Sequence, residues 1–297
     1  MTQSRLLSPV VLPRSQRLVR TIRRSMGAFI AHAFLLPIGV FLLIPFAWMV
    51  STSLKEKGRE FVWPPQFIPD PIVWANYPSA LTYMPFHLFF RNTLIITVLA
   101  TIGTLLTASL AGYSFARLRF PLRDFWFMVL LSTLMLPYIV TLIPTFILFT
   151  ALGWVDTFLP LIVPYWFGGS PFYVFLFRQF FLTIPYELEE AARVDGASYL
   201  RIWWQIMLPL SGPVIATVTI FSFIHHWNDF FGPLIYLNSL ENRTLSIGLR
   251  GFQSLYQSEW NLLMAASTVV IAPVIVLFFA AQRYFMRGIV TTGFGGR

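Results

Sequence analysis

A chain of 297 residues that is 57% hydrophobic and only 11% charged cannot cover a globule with a hydrated surface; soluble domains carry roughly 25% charged residues. The net charge of +9 requires no nucleic acid, because basic residues beside a membrane set topology and meet anionic lipid. Zero cysteines exclude disulfides, thiolate catalysis and cysteine-based metal sites.

In chain order, residues 1–25 read as a basic cytoplasmic arm. Six runs without Asp, Glu, Lys or Arg follow, each 21 to 31 residues long, and about 20 apolar residues span a hydrocarbon core. They predict six transmembrane helices near 27–50, 92–115, 125–150, 158–181, 210–234 and 262–284. The first run is longer than the roughly 7–15 residues of a signal-peptide core and ends in no small-residue cleavage site, so it reads as a span. The fold class is all-α integral membrane, with one membrane domain over 26–290 and a cytoplasmic tail over 291–297. Residues 51–90 carry Pro64, Pro65, Pro69, Pro71, Pro78 and Pro85, a density that blocks regular helix. They predict a compact loop or short helices over the outer mouth. Residues 116–124 form a short basic loop, and 151–157 a tight turn. Prolines inside the spans, among them Pro137, Pro144 and Pro164, mark either broken helices along a pathway or kinks that a membrane helix tolerates.

With the N-terminus inside, fifteen Lys and Arg lie on the cytoplasmic side and six outside. The positive-inside rule therefore places both termini in the cytoplasm of a multi-pass cell-membrane protein.

The polar gap between the fourth and fifth spans is the informative segment. Glu187 to Arg193 is strongly helix-forming, with Leu188, Ala191 and Ala192 on one face. Gly196 permits a positive-φ turn. A second helix follows, with Leu200, Trp203, Trp204, Met207 and Leu208 as its apolar stripe and Arg201 and Gln205 facing away. Such a helix–turn–helix can carry force from a soluble partner into the spans.

Glu190, Ala191, Ala192, Gly196, Ile206, Leu208 and Pro209 match every specified position of the EAA loop in permease subunits of ABC importers, which this segment resembles. Asn92-Thr93-Leu94, the Ala111–Arg117 segment, Trp227-Asn228-Asp229-Phe230 and Ala281-Gln282-Arg283-Tyr284 are similar to carbohydrate-uptake permeases of the maltose type. The resemblance implies a type I ABC importer permease (MetI-like) architecture, forming half of a heterodimeric translocation pathway for a sugar. It implies as partners a second permease subunit, a cytoplasmic ATPase dimer that carries ATP and Mg, and an extracytoplasmic sugar-binding protein. It also implies that the 187–209 loop is a coupling helix docked on the ATPase. The family's tail reaches the ATPase interface; here Phe294 interrupts the glycines of that tail.

Asp229 is the one acid well inside an apolar run. It reads as a pathway or gate group, with Trp227 and Asn228, or as a helix-end structural residue, because it lies about 30 Å beyond Pro209. His225 stands four residues earlier on the same face, within reach of a hydrogen bond, but no third metal ligand is in view. By position alone, the resemblance extends to a binding-protein contact around Gly248, Arg250, Gln253 and Gln257. No phosphate-cradling G-x-x-x-x-G-K-[ST] loop occurs, so the chain is not expected to hydrolyse ATP, to bind a cofactor or metal, or to be an enzyme. An ion-coupled secondary carrier, or an ABC importer of a non-sugar solute, is the alternative.

Overall fold

The computed structural model describes residues 14–168, 170–253 and 258–292, the side chains at 14–25, 28, 281 and 283–292 excepted. The regular structure among the described residues is helical, joined by turns and loops. A single isolated β-bridge joins Gln253 and Ser258. Four helices are long and apolar enough to cross a membrane, and six spans result when each of two sharply bent helix pairs counts as one.

α1 (Arg14–Ser53) runs through Pro37 and Pro45 and packs against the last helix. Its end is fixed by side-chain capping. Asn76 of the short α2 (Asn76–Tyr83) donates to the carbonyls of Ser53 at 2.9 Å and Lys55 at 2.8 Å. These bonds occupy carbonyls that a helix end otherwise leaves unpaired. The proline-rich 54–75 segment lies between α1 and α2 without regular helix.

α3 (Phe86–Arg117) is the central helix, the most buried of the candidate spans. Lipid tails are as apolar as leucine, so helices in a membrane associate through close packing rather than hydrophobic exclusion. Small residues on α3 supply that packing. A Cβ on Gly112 would lie 2.6 Å from the Phe177 Cβ, and one on Gly103 would lie 2.5 Å from the Trp166 indole. Ser222 reaches the Thr101 hydroxyl at 3.3 Å from a neighbouring helix.

Three spans expected to be single helices are broken, and the fifth span, 210–234, is broken at residues 228–230. α4 (Arg123–Ser132), continued by a 3₁₀ turn to Met135, meets α5 (Tyr138–Ala151) at 97°. Leu136 is extended there, as a residue before proline prefers, and Pro137 has no amide to continue the ladder. The expected span 158–181 is likewise interrupted. α6 (Leu159–Ile162) passes into a 3₁₀ turn at Val163–Trp166, and α7 (Pro171–Thr183) starts afresh. Gly168 takes a φ of +84° between them, a conformation that excludes continuation of the helix.

The 184–211 segment comprises α8 (Glu187–Val194), α9 (Tyr199–Ile202), a π-helical turn at Trp203–Met207 and α10 (Leu208–Leu210). It meets α11 (Gly212–Trp227) at 83°. α12 (Phe231–Tyr236) and α13 (Leu245–Arg250) cap the opposite end, and α14 (Trp260–Thr292) returns through Pro273.

Of three apolar clusters among the described residues, two are the larger. One gathers Tyr113, Phe177, Phe181, Ile202, Trp203 and Met207 beside the 184–211 segment. The other gathers Phe86, Phe89, Trp227, Leu245 and Phe252 beneath the capping helices.

Candidate functional site

The 184–211 segment is built on a charge rather than on the apolar face that its periodicity predicts. Three glutamates in the first turn of α8 suit the positive end of the helix dipole. One of them, Glu189, is buried together with Ala192, whereas Leu188 and Ala191 are exposed. The Glu189 carboxylate accepts from the Tyr113 hydroxyl at 3.4 Å and lies 3.9 Å from the Arg117 guanidinium. Arg117 also donates to the Phe181 carbonyl at 2.6 Å and to that of Ile184. Burial pushes the Glu189 carboxyl up, and Arg117 and then Tyr113 oppose it. The expected face of Leu188, Ala191 and Ala192 is therefore rotated: a carboxylate that finds a cation and a phenol outcompetes a leucine for the interior.

α8 ends in a Schellman-type closure. Ala197 donates to the Ala192 carbonyl at 2.9 Å and Gly196 to that of Arg193 at 3.0 Å, with Gly196 at φ +81°. Ser198 then caps α9 by accepting from the Arg201 amide. The second helix buries Ile202, Trp203 and Met207, while Leu200 and Trp204 are exposed, so its expected stripe is also turned. Arg201 and Gln205 face away and bond each other at 2.9 Å. Glu190, Ala191, Gly196 and Pro209 are exposed, Ile206 and Leu208 half-buried.

A cavity of about 520 Å³ opens at the other end of α11. α5 lines it with Tyr138, Thr141, Thr145 and Phe149, whose spacing of three and four residues sets them on one helical face. Pro160, Leu161, Pro164 and Tyr165 come from the broken fourth span. His225, Asp229, Phe231, Gly232 and Tyr236 complete the wall. Asp229 accepts from the Gly232 amide at 3.1 Å, and no hydrogen bond joins it to His225.

The neighbours of Asp229 in sequence do not share this position. Trp227 is buried, donates to the Val270 carbonyl at 3.0 Å and stacks on Phe223, outside the cavity. Asn228 is exposed and bonds back to the Ile224 carbonyl.

At the capped end, Gly248 packs beneath the Phe89 ring and Arg250 lies 5.6 Å from the Phe230 ring. Gln253 is exposed, and Gln257 and the 293–297 tail lie outside the described residues. The cap is organised by a residue that sequence reasoning passed over. Asp156 accepts from the amides of Asn238 at 2.9 Å and Ser239 at 3.0 Å and from the Ser239 hydroxyl at 2.7 Å. These bonds hold its carboxyl down to about 2. Asn92 donates to the Glu241 and Arg243 carbonyls, and Thr93 accepts from the Leu245 amide. The Asn92-Thr93 pair thus ties the same cap to α3. Asp156 was detectable as the lone acid separating two long uncharged runs.

Among the described residues no group of three potential metal ligands occurs. A bundle of bent, apolar helices with a cavity at one end and a helical hairpin at the other suits a transport permease. Residues 105–291 match the family model of binding-protein-dependent transport system inner membrane components, and the chain belongs to that family. Relatives include the sn-glycerol-3-phosphate transport system permease protein UgpE of Yersinia pestis, 34% identical over 90% of this chain and 97% of that one. The arabinooligosaccharides transport system permease protein AraQ of Halalkalibacterium halodurans is 34% identical over 91% of this chain and 94% of that one. The probable ABC transporter permease protein YurM of Bacillus subtilis is 34% identical over 82% of this chain and 81% of its own length. The fold is similar to a chain of a bacterial ABC transporter involved in the import of the acidic polysaccharide alginate, with a TM-score of 0.74, 24% identity and coverage of 92% and 99% of the two chains.

Proposed function

We propose that this permease forms half of the translocation pathway of an ATP-driven, binding-protein-dependent sugar importer. The observation that carries this reading is the cavity on α5, α6 and α11, lined by aromatic rings and hydroxyls and set in a chain of this transport family. Sugars present hydroxyl edges and apolar C–H faces, and this lining offers partners to both. Relatives that carry arabinooligosaccharides support the same substrate class.

A second permease subunit completes the pore, and a soluble binding protein delivers the cargo to the Asp156-organised cap, near Gly248, Arg250 and Gln253. A separate cytoplasmic ATPase dimer, loaded with ATP and Mg, grips the exposed Glu190 and Ala191 of α8. Both termini lie in the cytoplasm. Closing of the ATPase moves the 187–209 hairpin, and the spans turn the cavity outward.

The test is reconstitution of this chain with its partner permease, ATPase and binding protein in proteoliposomes. Uptake of a labelled oligosaccharide should require internal or external ATP on the ATPase side and resist an uncoupler. Uptake that survives without ATP and collapses with the uncoupler would replace the reading with an ion-coupled carrier.

A further inference from the structure

Among the described residues Asp229 is the only acid on the cavity wall, neither lysine nor arginine lines it, and His225 is its one basic side chain. That composition sits oddly beside the relatives. One of them carries sn-glycerol-3-phosphate, and the similar fold belongs to an importer of an acidic polysaccharide. Both cargoes are anions. An anion in this cavity would meet the Asp229 carboxylate with no lysine or arginine on the wall to offset the repulsion.

We propose that the cavity binds an uncharged sugar and discriminates against anionic ones, with Asp229 accepting hydrogen bonds from neighbouring sugar hydroxyls. The proposal rests on the sugar-importer reading above and narrows it.

Three features of the wall support it. First, the carboxylate is placed but not consumed. Backbone amides of the following turn support it, the Gly232 amide at 3.1 Å, and no side chain donates to it. Its position depends on a glycine, since a Cβ at residue 232 would lie 2.5 Å from Oδ2. A carboxylate so held accepts from two adjacent hydroxyls.

Second, the two threonines of α5 on the wall offer acceptors. Thr141 donates its hydroxyl proton to the Tyr138 carbonyl at 2.9 Å, and Thr145 donates to the Thr141 carbonyl. Both therefore present lone pairs to the cavity. These acceptors suit a ligand rich in O–H groups and oppose a phosphate group or the carboxylate of a uronate, which bring only acceptors.

Third, among the described residues the hydroxyls of Tyr138 and Tyr165 have no hydrogen-bond partner within the protein, which leaves them free to serve a ligand in either direction. The nearby cation Arg250 lies against Phe230 and not on the cavity wall.

The experiment is equilibrium dialysis on the permease pair bound to its ATPase, without binding protein, so that the delivery protein's own selectivity does not enter. The probes are maltotriose and a trimeric uronate of similar size. The wild-type complex is expected to bind the neutral trisaccharide at least about tenfold more tightly than the uronate. Asp229→Asn should weaken the neutral sugar about tenfold, within the range for a hydrogen bond to a charged acceptor, while narrowing the gap to the uronate. A merely structural lesion would weaken both probes together and overturn the proposal. Equal or tighter binding of the uronate by the wild type would overturn the charge selection and leave the sugar reading standing. Binding of neither probe, with ATP-driven sugar uptake intact in proteoliposomes, would show that the cavity is not the cargo site. Binding of neither and no sugar uptake would remove both.

Discussion

Arg117, the last residue of α3, and Glu189, in the first turn of α8, face each other across 3.9 Å with both side chains out of water. The separation is a charge contact rather than a hydrogen bond, and Tyr113 supplies the hydrogen bond that the carboxylate accepts. The pair joins the central membrane helix to the hairpin that leaves the membrane.

Removing one partner strands the other. Arg117→Met should destabilise the protein by about 3 kcal/mol, because a buried carboxylate is left without its cation. The double variant Arg117→Met, Glu189→Met should recover most of that loss, since a buried ion pair replaced on both sides is close to neutral. Thermal unfolding of the detergent-solubilised complex, read for the two single variants and the double, measures the coupling. Additive losses would show that the two residues act independently.

Gly196 is required for its backbone and not for space. No atom lies within 4 Å of a Cβ built there, yet φ is +81°. Gly196→Ala should therefore cost about 1 kcal/mol through the left-handed conformation alone. Gly196→Asp is expected to remain in the membrane while ATP-driven uptake falls to background. Normal uptake by that variant would remove the coupling role from this turn.

Two glycines on spans make a matched pair. Gly112→Ala drives a Cβ into Phe177 and the backbone of α7, and should lower stability by about 2 kcal/mol. Gly39→Ala on α1 meets nothing within 4 Å and should be neutral or slightly stabilising through helix propensity. Unfolding in a denaturant-titrated micelle distinguishes them.

Asp156 gives the cap an acid sensitivity of known sign. Its carboxyl is held down from 3.8 to about 2 by the amides and hydroxyl of Asn238 and Ser239. The folded state thus binds fewer protons than the unfolded one in that window. The stabilisation is complete above about pH 4 and disappears as pH falls through 2. Pepsin cleavage within 237–244 should rise between pH 4 and 2 in the wild type. Asp156→Asn should already be cleaved at pH 4, with little further change relative to the wild type at pH 2.

The spans were legible because charge is excluded from lipid: six uncharged runs locate six passages, and the hairpin falls in the polar gap between the fourth and fifth. Their interruptions were not placed by that argument. Leu136, Pro137 and Gly168 break two passages locally, whereas Pro37 and Pro273 lie inside continuous helices. Proline alone does not say which outcome follows, because neighbouring helices decide whether the freed carbonyls are satisfied. The faces of the hairpin failed for a different reason. Glu187, Glu189 and Glu190 are indistinguishable as letters, and only the guanidinium of Arg117, 72 residues earlier, selects the middle one for burial. Trp227 illustrates the converse. Its place beside Asp229 in the chain suggested a shared role, but the end of α11 turns one toward Val270 and the other toward the cavity.

The elbow at Ser211 has a mechanical consequence. Its side chain is fully buried and its hydroxyl donates to the Met207 carbonyl at 2.6 Å, so the 83° joint between α10 and α11 is braced rather than loose. A braced right angle works as a bell crank. A push on the hairpin parallel to the membrane becomes a swing of α11, a lever about 24 Å long at 1.5 Å per residue. A swing of about 10° carries its far tip, where His225 stands, through about 4 Å. That stroke exceeds the radius of a water molecule, about 1.4 Å. On the proposed reading, the hairpin would move the cavity wall without touching the cargo.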